Sequence, residues 1–125
     1  MVRKRLPTAV IVIVISVISS ATLHAEEKFQ RLKGQQIRAK FAGMELTDQS
    51  HWGEVFKPNG TLKSFSMGHR TVGKWRVQKD QLCLDRGTEL VGGCYEVWLA
   101  GKKVELRNQI ANAPLEGVLE RPTDR

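Results

Sequence analysis

No run of twenty apolar residues, no Cys-x-x-Cys pair, no internal repeat and no low-complexity tract occurs in these 125 residues. The first absence removes the ordinary signature of a spanning helix, which needs about 20 consecutive apolar residues. The second removes the usual signatures of structural zinc and of redox-active thiols. Without repeats or linkers the chain reads as one domain. Lysine and arginine are plentiful but spread along the chain, unlike the concentrated basic patch of a nucleic-acid binder. No nucleophile elbow with an orienting acid is visible either, so nothing marks a hydrolase site.

What is present begins with an address. Arg3, Lys4 and Arg5 precede a short apolar run to Ile18, which small and polar residues (Ser19, Ser20, Ala21, Thr22) follow. That order is the layout of a secretory signal peptide. We assign residues 1–25 to it and residues 26–125 to a single domain, expected to be soluble and to have no membrane span. Cleavage after Ala25 coincides with the abrupt Glu-Glu-Lys sequence, whereas cleavage after Ala21 better satisfies the small-residue rule. A periplasmic or secreted location follows, and with it an oxidising environment.

The domain holds 17 Lys and Arg against 13 Asp and Glu, a net charge of +4. Its two cysteines, Cys83 and Cys94, are the only ones in the chain. An even count in a small exported domain reads as a disulfide. Closing that loop is worth roughly 3 kcal/mol on the chain-entropy account.

Residues 28–42 place Phe29, Leu32, Ile37 and Phe41 at roughly helical spacing before Gly43, which predicts one short helix. Gly34 weakens its centre by about 1 kcal/mol relative to Ala, so two pieces joined at Lys33-Gly34 are the alternative. Beyond Gly43 the pattern changes to short alternating runs at 44–47, 51–57, 61–66, 70–77, 81–85, 94–99, 103–107 and 115–120, separated by turn residues. Pro58-Asn59-Gly60 is the strongest hairpin signal, because Asn-Gly tolerates positive φ. No connection is long enough for a parallel crossover. The expected fold is all-β: a small antiparallel barrel of about eight strands, with one short N-terminal helix able to plug an end. If 81–85 and 94–99 pair, Cys83 and Cys94 oppose each other. Leu82, Leu84, Tyr95, Val97 and Leu99 then face the core, and Trp98 faces outward.

Leu32-Lys33-Gly34-Gln35-Gln36-Ile37-Arg38, Gly43, Trp52 to Phe56, Pro58-Asn59-Gly60-Thr61, Gly73-Lys74-Trp75-Arg76-Val77, Leu82-Cys83-Leu84 and Cys94-Tyr95 form a connected series. The series resembles a group of small secreted bacterial proteins of uncharacterised function, in which a helix leads into a Gly-x-Trp, Leu-Cys, Cys-Tyr barrel. In size, export and strand count the chain is also loosely similar to calycin-type and lysozyme-inhibitor barrels. The resemblance implies fold and export, and no activity.

Each candidate site has a plain structural counterpart. His51 and His69, with Glu54 or Asp48, would make at most a thin metal site, and no metal or other cofactor is expected. Trp52, Trp75 and Trp98, with Phe56, Phe65 and Tyr95, supply either a core or an aromatic barrel mouth. Arg70, Lys74 and Arg76, with Lys63 on the next strand and Trp98 at the flank, are the expected ligand-binding face for an acidic protein or an anionic envelope component. The functional expectation is a monomeric, non-enzymatic binding module for an envelope component, a small ligand or a partner protein, inhibition included. The alternative is a small hydrolase-like enzyme using His51 or His69.

Overall fold

Alternation of side chains and well-placed turns carry the chain through a single continuous meander. The computed structural model describes residues 2–5, 7–16, 28–87, 92–110 and 113–123. A two-residue strand, β1 (Gln30–Arg31), precedes a helix, α1 (Gly34–Phe41). Eight strands follow: β2 (Glu45–Thr47), β3 (Trp52–Phe56), β4 (Thr61–Ser66), β5 (His69–Gln78), β6 (Gln81–Asp85), β7 (Gly93–Ala100), β8 (Lys103–Arg107) and β9 (Leu115–Glu120). Each of the eight pairs antiparallel with the next, and β9 returns to β2 through Glu45↔Glu120, Leu46↔Leu119 and Thr47↔Val118. The sheet is thus a closed eight-stranded barrel. Closure satisfies the backbone groups that an open edge would leave unpaired.

The turns fit their residues. At the β3–β4 hairpin Gly60 sits at φ +93° and the Asn59 side chain accepts a hydrogen bond from the Thr61 amide at 3.0 Å. That sets the pairing of Phe56 with Leu62 and turns Leu62 inward. Leu46, Phe56, Leu62, Trp75, Leu82, Leu84, Val97, Val104, Leu106 and Leu119 fill the barrel. The helix closes the end where β3 meets β4 and β5 meets β6, with Ile37 and Phe41 fully buried. Phe41 packs edge-on against Phe56 at 5.0 Å, and Phe56 edge-on against Trp75 at 5.6 Å. The Trp75 indole N–H donates to the Lys57 carbonyl at 2.8 Å, so the aromatic plug carries its one polar atom satisfied.

The helix is shorter than the expected 28–42. Gln30 and Arg31 are extended instead, facing Leu99 and Trp98 of β7, and the Leu32 amide donates to Val97 at 2.8 Å. The physical reason is an edge. Pairing of β6 with β7 stops at Leu82↔Tyr95, so the rest of β7 offers backbone groups that β1 takes up. The chain changes direction at Gly34, whose amide donates to Asp80 at 2.8 Å and whose missing side chain leaves room for Val77 and Asp80. Leu32, Ile37 and Phe41 are all buried as their spacing suggested, but only Ile37 and Phe41 lie on the helix, and Leu32 follows β1.

Cys83 and Cys94 are direct cross-strand neighbours joined by a disulfide on the outer face. Leu82, Leu84, Tyr95, Val97 and Leu99 share the inner face, as the alternation predicts. Residues 2–5 and 7–16 carry no helix or strand, and apolar residues 10–15 stand 75–82% exposed. The expected cleavage positions, Ala21 and Ala25, lie outside the described residues. Among the described residues no helix is long and apolar enough to cross a membrane.

Candidate functional site

The two ends of the barrel interior differ chemically. Trp52, Glu54 and Phe56 alternate on the inner face of β3, so a carboxylate is carried into the barrel between two aromatics. Glu54 is 4% exposed. Its cross-strand partner is Ser64, whose hydroxyl donates to Glu54 Oε2 at 3.0 Å. Arg86, immediately after β6, completes the group. Its Nη2 donates to Oε1 at 2.7 Å and its Nε to Oε2 at 3.0 Å, a two-point pairing in which both side chains are mostly buried. Such geometry is what an ion pair needs to offset the cost of leaving water. Burial opposes the charge on Arg86, but the Glu54 carboxylate, aided by the Tyr95 side chain, outweighs it and raises the arginine pKa above its ordinary value. Ser64, Glu54, Arg86 and Tyr95 therefore form one polar group inside an otherwise apolar barrel.

A glycine makes this possible. At Gly73 on β5, a Cβ would fall 1.8 Å from the Asp85 carbonyl oxygen and 2.9 Å from the Arg86 carbonyl carbon. Only a residue without a side chain lets the chain after β6 turn over the barrel rim and bring Arg86 to Glu54.

Around this group opens a cavity of about 720 Å³, to which Trp52, Glu54, Ser64, Arg86, Tyr95 and Leu115 contribute. The volume lies within the range of small-molecule sites, roughly 300–1,000 Å³. The lining surface is mainly apolar; its polar groups include the Glu54–Arg86 pair with Ser64 in the interior and Gln81, Glu96, Arg107 and Asn108 around it. The site is at the mouth opposite α1, beside the β4–β5 turn and the segments following β6 and β8.

The residues singled out from sequence fall in separate places. Arg70, Lys74 and Arg76 lie exposed on the outer face of β5, with Lys63 on the same side of β4 and Asp85 opposite Lys74. Trp98 is not beside them. It sits on the outer face of β7 between Arg31 and Glu105, four residues past Cys94, and Arg107 covers its ring at 4.1 Å. Of the aromatics, Trp52, Phe65 and Tyr95 border the mouth cavity, whereas Phe56 and Trp75 pack at the helix end. His51 and His69 border one small pocket at the rim, of about 290 Å³, with Phe65 and Met67. No cluster of three or more metal-ligating side chains occurs among the described residues. His51 is held at 3.0 Å by Asp48, and Asp48 also accepts backbone N–H groups of Trp52, Ser50 and His51. The Trp52 amide above all, with those of Ser50 and His51, holds the Asp48 carboxyl well below the usual carboxylate range. Asp48 is thus the organiser of the β2–β3 turn.

The Glu54–Arg86 pair was missed from sequence. Half of it carried a signal: an acid alternating with Trp52 and Phe56 on a core face requires a buried partner. Arg86 carried none, since it lies in a segment with no periodicity. Comparison of the chain with protein-family models, curated proteins and solved structures finds no match.

Proposed function

We propose that the domain is a non-enzymatic binding module that takes a small, largely apolar ligand with one polar head into the barrel mouth. The observation that carries this reading is the 720 Å³ cavity built around a buried, fully engaged Glu54–Arg86 pair. A barrel interior of this size is normally filled by side chains, and here one end is filled while the other is not. Polar groups held rigid by their own hydrogen bonds fix a ligand's orientation without a large ordering cost. The ligand's apolar body would lie against Trp52, Leu106 and Leu115, and its head would meet the Arg86 and Tyr95 side chains.

The setting proposed for this activity is an exporting, oxidising compartment. The basic and apolar order of the first residues and the Cys83–Cys94 disulfide support that reading. Catalysis by the histidines draws less support. His51 is committed to the Asp48 turn, and among the described residues no hydroxyl donates to its ring.

Titration with N-phenyl-1-naphthylamine, a dye that brightens in apolar sites, tests the reading. Saturable binding at one dye per chain is expected. Leu115→Trp, a half-buried position on the cavity wall, should weaken it about tenfold or more by filling the space. Dye binding unaltered by Leu115→Trp would place the dye elsewhere and contradict the proposal.

A further inference from the structure

The outer wall of the β3–β5 hairpins is electrostatically one-sided. Between His51 and Lys79 the chain carries Lys57, Lys63, Arg70, Lys74, Arg76 and Lys79, and its single acid, Glu54, points into the barrel. Alternation brings Lys63, Arg70, Lys74 and Arg76 onto one exposed surface, with Asp85 at its edge. The cations are crowded: contact with the Lys57 ammonium, then its charge, partial desolvation and Arg70 lower the pKa of Lys63. The same wall exposes apolar side chains. Of the three exposed large hydrophobics in the described part of the barrel, Met67 (72%) and Val72 (67%) lie on the β4–β5 hairpin. Met67 occupies the hairpin tip, and Val72 lies opposite Lys63 among the cations.

We infer that this wall, formed by Lys63, Arg70, Lys74 and Arg76 around Val72 and tipped by Met67, docks the protein on an anionic phospholipid surface. The inference is independent of the proposed cavity ligand. Three features favour a bilayer over an acidic polymer. Lys63, Lys74 and Arg76 border neither cavity described above, and Arg70 alone reaches the small rim pocket, so most of the charge lies on open wall rather than in a recess that would seat a protein's anchoring side chain. Among the described residues no exposed Phe, Tyr or Trp is present for stacking on bases, and Phe65, beside the wall, lies under Arg70 at 5.5 Å. A protruding methionine beside cations suits the boundary between headgroups and acyl chains, whereas it gains nothing from a hydrophilic polyanion. Each cation near an anionic leaflet should strengthen binding roughly fivefold.

The test is co-sedimentation of the disulfide-intact chain with phosphatidylglycerol or phosphatidylcholine vesicles. Three variants accompany it: Lys63→Ala/Arg70→Ala/Lys74→Ala/Arg76→Ala, Met67→Asp, and Lys102→Ala/Lys103→Ala on the opposite side of the barrel. The apolar leader is common to all four proteins, so differences among them report the barrel surface. Wild type should bind phosphatidylglycerol much more tightly than phosphatidylcholine, and less tightly as salt rises. The quadruple variant should lose about a hundredfold or more on the per-charge scale. Met67→Asp should also bind more weakly, and Lys102→Ala/Lys103→Ala should bind as wild type does. Equal affinity for the two lipids, retained binding by the quadruple variant, or an equal loss in the Lys102/Lys103 variant would overturn the inference. So would tighter binding to polyglutamate or single-stranded DNA than to vesicles.

Discussion

The helix end and the mouth of this barrel are made from the same strands, yet they solve opposite problems. At the helix end Phe41, Phe56 and Trp75 interlock edge to face and the one indole N–H is satisfied by a backbone carbonyl. At the mouth the corresponding inward positions hold Glu54 and Ser64, an arginine reaches in from beyond the sheet, and space remains. Close packing stabilises; a polar, partly empty interior is expensive to build and is kept where it has a use. On the proposed reading of the mouth, stability and function are separated along the barrel axis.

That separation makes its strongest prediction at the helix end. Phe56→Ala should cost about 4 kcal/mol, measured by urea unfolding, because the ring is fully buried between two aromatics that cannot both close the gap. Dye binding at the mouth by the remaining folded protein should be little changed.

The mouth should respond differently to single and double changes. Arg86→Met should destabilise by about 3 kcal/mol, since it strands a buried carboxylate, whereas Glu54→Met/Arg86→Met should return to within about 1 kcal/mol of wild type. A double variant as unstable as the single one would mean that the pair is held for stability, and the contrast between the two ends would fail.

Cys83→Ser/Cys94→Ser should lose about 3 kcal/mol on the chain-entropy account, with the pairing around residues 82–84 otherwise able to persist. Thermal unfolding of the oxidised protein against the double variant measures it.

The smallest effect concerns acid. The native Asp48 carboxyl titrates below its ordinary value of 3.8, so its contribution to stability is fully present above that pH and is lost as pH falls below it. Wild type should therefore lose more stability than Asp48→Asn on going from neutral pH to strong acid, read as the urea midpoint at each pH. Parallel losses in the two proteins would remove Asp48 from its role in the β2–β3 turn.

All eight barrel strands were legible because period-two alternation and turn residues are local signals, and the cross-strand meeting of Cys83 and Cys94 followed from one hairpin assumption. The start of the helix was not legible. Leu32 fits a helical stripe and an edge strand equally well, and only the unpaired end of β7 decides between them. The site was half legible. Glu54 announced itself by falling on the face of Trp52 and Phe56, but its partner depends on the space at Gly73, a contact between residues 12 positions apart that no spacing encodes. The basic face of Arg70, Lys74 and Arg76, with Lys63 beside it, was legible from strand alternation, but the place of Trp98, which lies on β7 and not at its flank, was not.

The most direct test of the contrast follows the two interior tryptophans by NMR, since Trp52 borders the mouth cavity and Trp75 is packed at the helix end. On titrating N-phenyl-1-naphthylamine into labelled protein, the Trp52 indole N–H and the amides of Gly93 and Tyr95 should shift with a common saturation curve while the Trp75 indole stays in place. Movement of Trp75 without Trp52 would contradict the account.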